Sequence, residues 1–212
     1  MKFDAVLFDL DGTLLDSIEL ILESYFFTLG AHALEPKTDE DILSGLGTTL
    51  EDQFIRWGYA DRVDALVQTY IDFNLREHDR LVKPYAGIDA IVHELRAAGV
   101  PLGLVTSKRR RGGEMGLRAL GLARSFDVEI YGDEVDRPKP DPDPVLRALR
   151  GLGVEASERV TFVGDAIHDV EAGRAAGVHT IAVTWGAGRR EQLAPAHAVV
   201  DDATSLRALL VD

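Results

Sequence analysis

The chain has 212 residues, is 46% hydrophobic and carries a formal net charge of −13 at pH 7. This length and composition suffice for a sizeable core in one domain, or in one domain with a smaller insert. The acidic balance argues against nucleic-acid binding, no apolar run is long enough for a membrane span, and the absence of cysteine fits a cytoplasmic protein.

The first element is the stretch AVLFDLDGTLLDS at residues 5–17. Its apolar, strand-like run ends in Asp9, and Asp11 and Gly12 follow within three positions. A continuous apolar run of this kind is typical of a strand buried on both faces of a sheet. The two acids therefore lie where the strand leaves the core, and Gly12 allows the backbone to turn tightly beside them.

Residues 16–81 show helical patterns only, and we interpret them as a helical cap domain inserted into a core formed by residues 1–15 and 82–212. Asp16 and Glu19 have the spacing of a capping box for the first helix of this insert. The aromatic residues of the insert are expected to form its own small core; they are Tyr25, Phe26, Phe27, Phe54 and Trp57. Gly45 and Gly47, in the segment SGLGTTL, either point toward a substrate site or simply end a helix.

From residue 82 onward, short β-branched runs alternate with amphipathic helical stretches. The predicted strands contain the runs LGLV, DVEI, TFVG, TIAV and HAVV, and a helical pattern follows each of them except TIAV. Strands separated by helices of this length indicate an α/β fold with a Rossmann-like, doubly wound parallel sheet.

Polar residues of catalytic type follow three of these strands. Asp9 and Asp11 follow the first strand, Thr106 and Ser107 follow LGLV, and Asp165 follows TFVG. Ligands of open parallel sheets bind outside the carboxyl ends of the strands, where the strand order reverses. We therefore expect these side chains to meet at one edge, joined by Lys139 from the proline-stiffened loop DRPKPDP.

The residue types predict phosphoryl-transfer chemistry. Asp9, Asp165 and Asp169 offer hard oxygen ligands that suit Mg²⁺. One aspartate is then available to attack phosphorus as a nucleophile, and the acid two residues on would protonate the leaving oxygen and later deprotonate water. Thr106 and Lys139 would bind the phosphoryl oxygens and neutralise their charge.

Three of these residues or their neighbours have simpler interpretations. Asp169 could cap the helix that follows it instead of supporting a metal. The run KRRR at 108–111 is typical of a solvated helix face, although Lys108 directly follows Thr106 and Ser107 and could meet substrate. His168 is interpreted as an exposed bystander.

Four segments of the chain resemble the four motifs of the haloacid dehalogenase-like phosphatase superfamily, in order and with suitable spacing. Together they span nearly the whole chain, and the helical insert between the first and second motifs is similar to the family's C1-type cap. The four segments are DLDGT at 9–13, VTS at 105–107, RPKPDP at 137–142 and GDAIHD at 164–169.

The resemblance implies a role for each matching residue. Asp9 would be the nucleophile, Asp11 the general acid and base, and Thr106 and Lys139 the groups that hold the phosphoryl group. The implied Mg²⁺ ligands are Asp9, the main-chain carbonyl of Asp11, and Asp165, with support from Asp169. Ser107 and Ala166 depart from the residues usual in the family, Asn and a small polar residue.

The acid at Asp11 is typical of the phosphatase branch, and the chain most resembles phosphoglycolate phosphatases and their bacterial pyrophosphatase relatives. The expected activity is Mg²⁺-dependent hydrolysis of a small phosphorylated metabolite or pyrophosphate through an aspartyl-phosphate intermediate, by a monomer or homodimer. Ser107, Lys108, Gly45 and Gly47 are candidate substrate contacts. Two alternatives remain: a phosphomutase of the β-phosphoglucomutase type, and a non-catalytic phosphate sensor.

Overall fold

The computed structural model describes residues 2–211, which form an α/β sheet domain with a helical segment inserted near its start. The described strands, in chain order, are β1 Ala5–Phe8, β2 Leu15–Asp16, β3 Lys83–Pro84, β4 Leu102–Val105, β5 Val128–Ile130, β6 Val160–Gly164, β7 His179–Val183 and β8 Ala198–Val200. The described α-helices are α1 Ile18–Ala31, α2 Asp39–Leu43, α3 Leu50–Arg56, α4 Val63–Leu81, α5 Ile88–Ala97, α6 Arg110–Ala119, α7 Asp143–Leu152, α8 Ile167–Ala175, α9 Arg190–Leu193 and α10 Ala203–Leu210.

Within residues 2–211, six strands form one parallel sheet in the order β5–β4–β1–β6–β7–β8. Strand β1 is central: Val6 pairs with Leu102 of β4 on one side, and Leu7 pairs with Phe162 of β6 on the other. The chain moves outward from β1 through β4 and β5, then crosses back and moves the other way through β6, β7 and β8. This reversal places the carboxyl ends of β1, β4 and β6 side by side, where parallel sheets bind ligands.

The two faces of the sheet are covered by different helices, as the alternation of side chains along β1 shows. Val6 and Phe8 belong to one buried cluster, which includes side chains of α5, α6 and α10. Ala5 and Leu7 belong to a second cluster on the opposite face, with side chains of α7 and α8. The prediction of a doubly wound parallel sheet is therefore confirmed.

Helices α1–α4 form a small bundle with its own buried cluster, which includes Tyr25, Phe54 and Tyr70. Tyr25 packs edge-on against Phe54, with ring centroids 5.5 Å apart. Phe26 and Phe27 are exposed, so the expectation that they join this core is wrong. Successive helical residues point about 100° apart around the axis, so the two residues after Tyr25 turn away from the bundle.

The bundle connects to the sheet domain through the antiparallel ribbon of β2 and β3, in which Asp16 pairs with Lys83. The capping box predicted for Asp16 and Glu19 is wrong. Ser17 precedes the first residue of α1 without a side-chain capping bond, and Glu19 instead forms an ion pair with Lys83 at 3.2 Å. Asp16 lies in the ribbon because the two segments that connect the bundle to the sheet domain pair here. Their backbone N–H and C=O groups bond to each other. Along residues 2–211, no helix combines the length and apolarity that a membrane crossing needs.

Candidate active site

Three buried aspartates meet at the carboxyl edge of the sheet. Asp9 follows β1, Asp165 follows β6, and Asp169 lies in the first turn of α8. One carboxylate oxygen from each lies within 4.8 Å of the others, and all three residues are at most 5% exposed. Asp9 and Asp165 lie close together, as predicted from their positions at strand ends, because the parallel neighbours β1 and β6 end at the same edge of the sheet.

A buried lysine is inserted among these acids. The Nζ atom of Lys139 lies 2.9 Å from Oδ1 of Asp9 and 2.6 Å from Oδ1 of Asp169. It comes from the loop before α7 and is 2% exposed. With every group ionised, three carboxylates and one ammonium leave two negative charges without a partner inside the cluster, and buried charges require compensation.

The pKa values reflect this excess of negative charge. Burial raises the pKa of Asp9 to about 7, and the neighbouring Asp169 adds to the rise while Lys139 opposes it. Burial and Asp169 raise the pKa of Asp165 well above its ordinary value. Burial disfavours the charge on Lys139, but Asp169 and Asp9 outweigh that effect and hold its pKa above the usual range. Without a further cation, the cluster therefore binds protons that ordinary aspartates release.

A divalent cation fits this cluster in both charge and donor type. Two positive charges would balance the excess, and carboxylate oxygens are the ligands that Mg²⁺ prefers. The carboxylate of Asp11 is not part of the cluster, because it makes ion-pair contacts elsewhere. Only its main-chain carbonyl remains available for the metal role that the family resemblance implies.

The tight turn after Asp9 depends on Gly12, which has φ +80°. Its N–H donates to the carbonyl of Leu15, which closes the turn at 2.8 Å. A Cβ atom at Gly12 would lie 2.2 Å from Oδ2 of Asp165. The backbone at position 12 therefore lies closer to the cluster than any residue with a side chain would permit. Thr13, next in the chain, donates from Oγ1 to Oδ1 of Asp165 at 3.3 Å.

A second loop, which the sequence reasoning missed, also encloses Asp165. The N–H of Ala187 donates to Oδ2 of Asp165 at 2.7 Å, and a Cβ at Gly186 would lie 2.2 Å from the same oxygen. Trp185 fastens this loop to the first one, because its Nε1 donates to the carbonyl of Thr13 at 3.1 Å. The available signal was the glycine pair at 186 and 188 directly after a strand.

Asp11 is held by residues from two other elements. Lys108 contacts its two oxygens from Nζ at 2.8 and 3.0 Å, and Ser17 donates to Oδ1 at 2.6 Å. Of the two interpretations left open for Lys108, a solvated position does not hold, because its side chain is 9% exposed. Thr106 is buried at the end of β4, and its Oγ1 accepts the N–H of Lys108 at 3.1 Å.

A cavity of about 680 Å³ lies between the edge of the sheet and the helical bundle. Its lining includes both proposed catalytic carboxylates and the four candidate substrate contacts. The lining residues used below are Asp9, Asp11, Gly45, Gly47, Thr106, Ser107, Lys108, Arg109 and Arg111. The structure thus brings predicted residues from three separate segments, 9–11, 45–47 and 106–108, to one cavity.

The loop between α2 and α3 roofs the cavity and is docked on the sheet domain. Ser107 donates from Oγ to the carbonyl of Gly47 at 2.5 Å, and His168 donates from Nδ1 to the carbonyl of Leu46 at 2.9 Å. The interpretation of His168 as an exposed bystander is wrong, since it is half-buried beneath this loop. Gly47 has φ +92°, and a Cβ there would lie 3.2 Å from both Ala166 and His168.

This fold and site define a class of proteins: α/β proteins with an aspartate directly after the central parallel strand, a buried lysine beside it and a helical roof over the cavity. The chain belongs to the haloacid dehalogenase-like hydrolase family, whose model matches residues 6–183. Within that family it lies in the phosphatase and pyrophosphatase branch.

Known relatives include pyrophosphatase PpaX of Bacillus velezensis, which is 42% identical over 184 residues that cover 87% of this chain and 84% of that protein. Among solved structures, a candidate haloacid dehalogenase-like hydrolase from Bacteroides fragilis is 28% identical with a TM-score of 0.89, covering 97% of this chain and 100% of that one. A candidate phosphoglycolate phosphatase from Lactobacillus plantarum is 26% identical with a TM-score of 0.88, covering 99% and 100%.

The close approach of Gly12 to Asp165 generates the first prediction. Gly12→Ala is expected to lower the affinity of the purified protein for Mn²⁺, used as a spectroscopic substitute for Mg²⁺, by about tenfold or more. The new methyl group would displace the Asp165 carboxylate from the cluster. Electron paramagnetic resonance of free Mn²⁺ measures this affinity directly.

Gly99→Ala is the matched control, because Gly99 has a similar φ of +75° but no atom within 4 Å of an added Cβ. It carries the same backbone strain, about 1–2 kcal/mol, without the contact with Asp165. Equal Mn²⁺ affinity in the two variants would contradict the account of Gly12.

Proposed function

We propose that the protein is a Mg²⁺-dependent phosphohydrolase that cleaves pyrophosphate or a small phosphorylated metabolite through an aspartyl-phosphate on Asp9. The observation that carries this proposal is that Asp9 and Asp11 line one cavity, while Lys139 lies against Asp9. The 42% identity with a pyrophosphatase supports a diphosphate substrate. The fold likeness to a candidate phosphoglycolate phosphatase supports a phosphate ester.

Asp9 is suited to nucleophilic attack because its two oxygens have different surroundings. Oδ1 accepts the hydrogen bond from Lys139, whereas among residues 2–211 no donor is assigned to Oδ2. In the proposed first step, a bond forms between an oxygen of Asp9 and phosphorus, and the bond from phosphorus to the leaving oxygen breaks. Lys139 opposes the rise in the pKa of the attacking carboxylate and holds it in position.

Asp11 would supply the proton that the leaving oxygen needs. It would then accept a proton from the water that attacks phosphorus, which releases phosphate and restores Asp9. Ser17, directly after β2, and Lys108, two residues before α6, hold the carboxylate of Asp11 in place. Its position between the two domains suits a group that acts in both steps.

Thr106 and the metal site would hold the transferred phosphoryl group. Thr106 lines the cavity at the end of β4, next to the end of β1. Asp9, Asp165 and Asp169, with the carbonyl of Asp11, would hold Mg²⁺, which when bound neutralises charge on the phosphoryl oxygens.

Asp9→Asn and Asp11→Asn test these roles, with pyrophosphate and phosphoglycolate as substrates and released phosphate as the measurement. Asp9→Asn is expected to abolish turnover because the amide is not a nucleophile, and Asp11→Asn to lower kcat by about 10²–10⁴-fold. EDTA should abolish wild-type activity, and added Mg²⁺ should restore it.

Asp16→Asn is the control, since Asp16 belongs to the same segment but does not line the cavity. It should keep activity close to that of the wild type. Undiminished activity of Asp9→Asn would refute the assignment of Asp9 as the nucleophile. Phosphate binding without any turnover would indicate a sensor, and phosphoryl transfer within a sugar phosphate without release would indicate a mutase.

We also propose that residues 16–81 act as a cap domain that opens and closes on the ribbon of β2 and β3. Several contacts that hold the roof down are single polar contacts across the cavity: Ser107 with Gly47, His168 with Leu46, and Arg109 with Glu51. Contacts of this kind break at small cost when exposed to water. Closure would exclude water during the first step, and opening would release product.

Gly47→Ala tests whether the loop at 44–50 must dock for closure. With Mg²⁺ and a fluoride-based phosphate mimic, hydrogen exchange of this loop should slow in the wild type and remain fast in Gly47→Ala, because the added methyl presses on Ala166 and His168. Mass spectrometry of the peptide that contains residues 44–50 measures the exchange.

Gly58→Ala is the matched control, with φ +90° and open space at the position of its Cβ. In Gly58→Ala, the mimic should slow hydrogen exchange of the loop at 44–50 as it does in the wild type. If the mimic changes exchange in none of the three proteins, the cap is a fixed wall and the closure proposal fails.

A further inference from the structure

The cavity is larger than a transferred phosphoryl group requires, so a substantial part of it surrounds the leaving group. Its volume of about 680 Å³ lies within the range typical of sites for organic ligands. Asp9, Asp11 and Thr106 account for the phosphoryl end. The remaining wall determines which leaving groups are accepted.

The basic residues on this wall differ in whether they already have an acidic partner. Lys108 pairs with Asp11, and Arg109 pairs with Glu51 across the mouth of the cavity. Arg111 has neither an ion pair nor a hydrogen bond from its guanidinium to any residue in the range 2–211. Of the three basic residues that line the cavity, Arg111 is the one without an acidic partner among residues 2–211.

The absence of a partner for Arg111 is notable in a chain with 36 acidic and 23 basic residues. The nearest acid along α6 is Glu114, one turn away. Its two oxygens face Arg110 and Arg118, at 3.5 and 3.9 Å, instead of Arg111. The helix thus leaves Arg111 without the neutralising partner that its neighbours have.

We propose that Arg111 recognises a second anionic group, carried by the leaving-group side of the substrate. A guanidinium donates in a planar fork that matches phosphate and carboxylate oxygens. Acids line both sides of the cavity, among them Asp52 and Asp72 on the cap side and Asp133 and Asp136 on the sheet-domain side, and they disfavour an anion beside them. An anionic leaving group is therefore stabilised best beside Arg111, the basic lining residue without an ion pair among residues 2–211.

This inference rests on the proposed function and narrows its substrate class. Pyrophosphate presents a second phosphoryl group and phosphoglycolate presents a carboxylate, so both have the required chemistry. A phosphate ester with a neutral leaving group, such as phenyl phosphate, lacks it. Arg111 is also exposed at the border of a second cavity beside the hinge ribbon, which leaves its side chain room to adjust to either anion.

Arg111→Gln tests the proposal through kcat/KM for pyrophosphate, phosphoglycolate and phenyl phosphate. We expect kcat/KM to fall about tenfold or more for at least one of the anionic leaving groups, because a hydrogen bond between charged groups is lost. The value for phenyl phosphate should change less than about twofold, which a general structural defect would not allow. A loss for pyrophosphate alone identifies a diphosphate site, and a loss for phosphoglycolate alone identifies a carboxylate site.

Arg110→Gln is the matched control, because the preceding arginine is engaged by Glu134 at 2.5 Å and lies 4.4 Å from the ring centre of Tyr131. Arg110→Gln should change kcat/KM by the same factor for all three substrates. Equal effects of Arg111→Gln on all three substrates, or no effect on any, would overturn the role of Arg111 while leaving the proposed hydrolysis intact. If the wild type hydrolyses none of them, the proposed function fails and this inference fails with it.

Discussion

The site depends on one electrostatic constraint: three aspartates and one lysine share a buried space that has two negative charges more than it can neutralise. Asp165 is completely buried and Lys139 is nearly so. Such an arrangement is unfavourable in the folded protein unless protons or a cation supply the missing charge. The excess negative charge and the carboxylate donors therefore fit a divalent cation at the edge where β1 and β6 end. The buried negative charge that suits a cation also destabilises the folded protein, a combination that is common at catalytic sites.

Much of the surrounding structure serves to bring backbone close to that charge. Gly12, Gly164 and Gly186 each lie where a Cβ would come within 2.5 Å of an aspartate of the cluster. The close approach lets main-chain N–H groups reach the carboxylates, as those of Ala166 and Ala187 do. Hydrogen bonds from the backbone hold the ligands in position without adding side chains that would fill the cavity.

The fold and the core of the site were predictable because both follow from local patterns. An acid directly after a buried strand must emerge at the sheet's carboxyl edge, so the sequence alone predicts that Asp9 and Asp165 lie close together. Other features depend on contacts between residues far apart in the chain. No periodic pattern in the sequence predicts three of these features. They are the ribbon that contains Asp16, the loop from Trp185 to Gly188, and the docking of Leu46 on His168. The position of Lys108 could not be decided from the sequence for the same reason, since its partner Asp11 lies 97 residues away.

The direct test of the central constraint is calorimetric titration of the metal-free protein with Mg²⁺ at pH 6 and pH 8, in buffers of different ionisation enthalpy. Protons compete with the cation below the raised pKa of about 7 at Asp9, so affinity should fall as the pH is lowered. The account predicts one Mg²⁺ per chain, affinity about tenfold or more higher at pH 8, and proton release on binding at pH 6. Affinity independent of pH without proton release, or unchanged binding by Asp165→Asn, would contradict it.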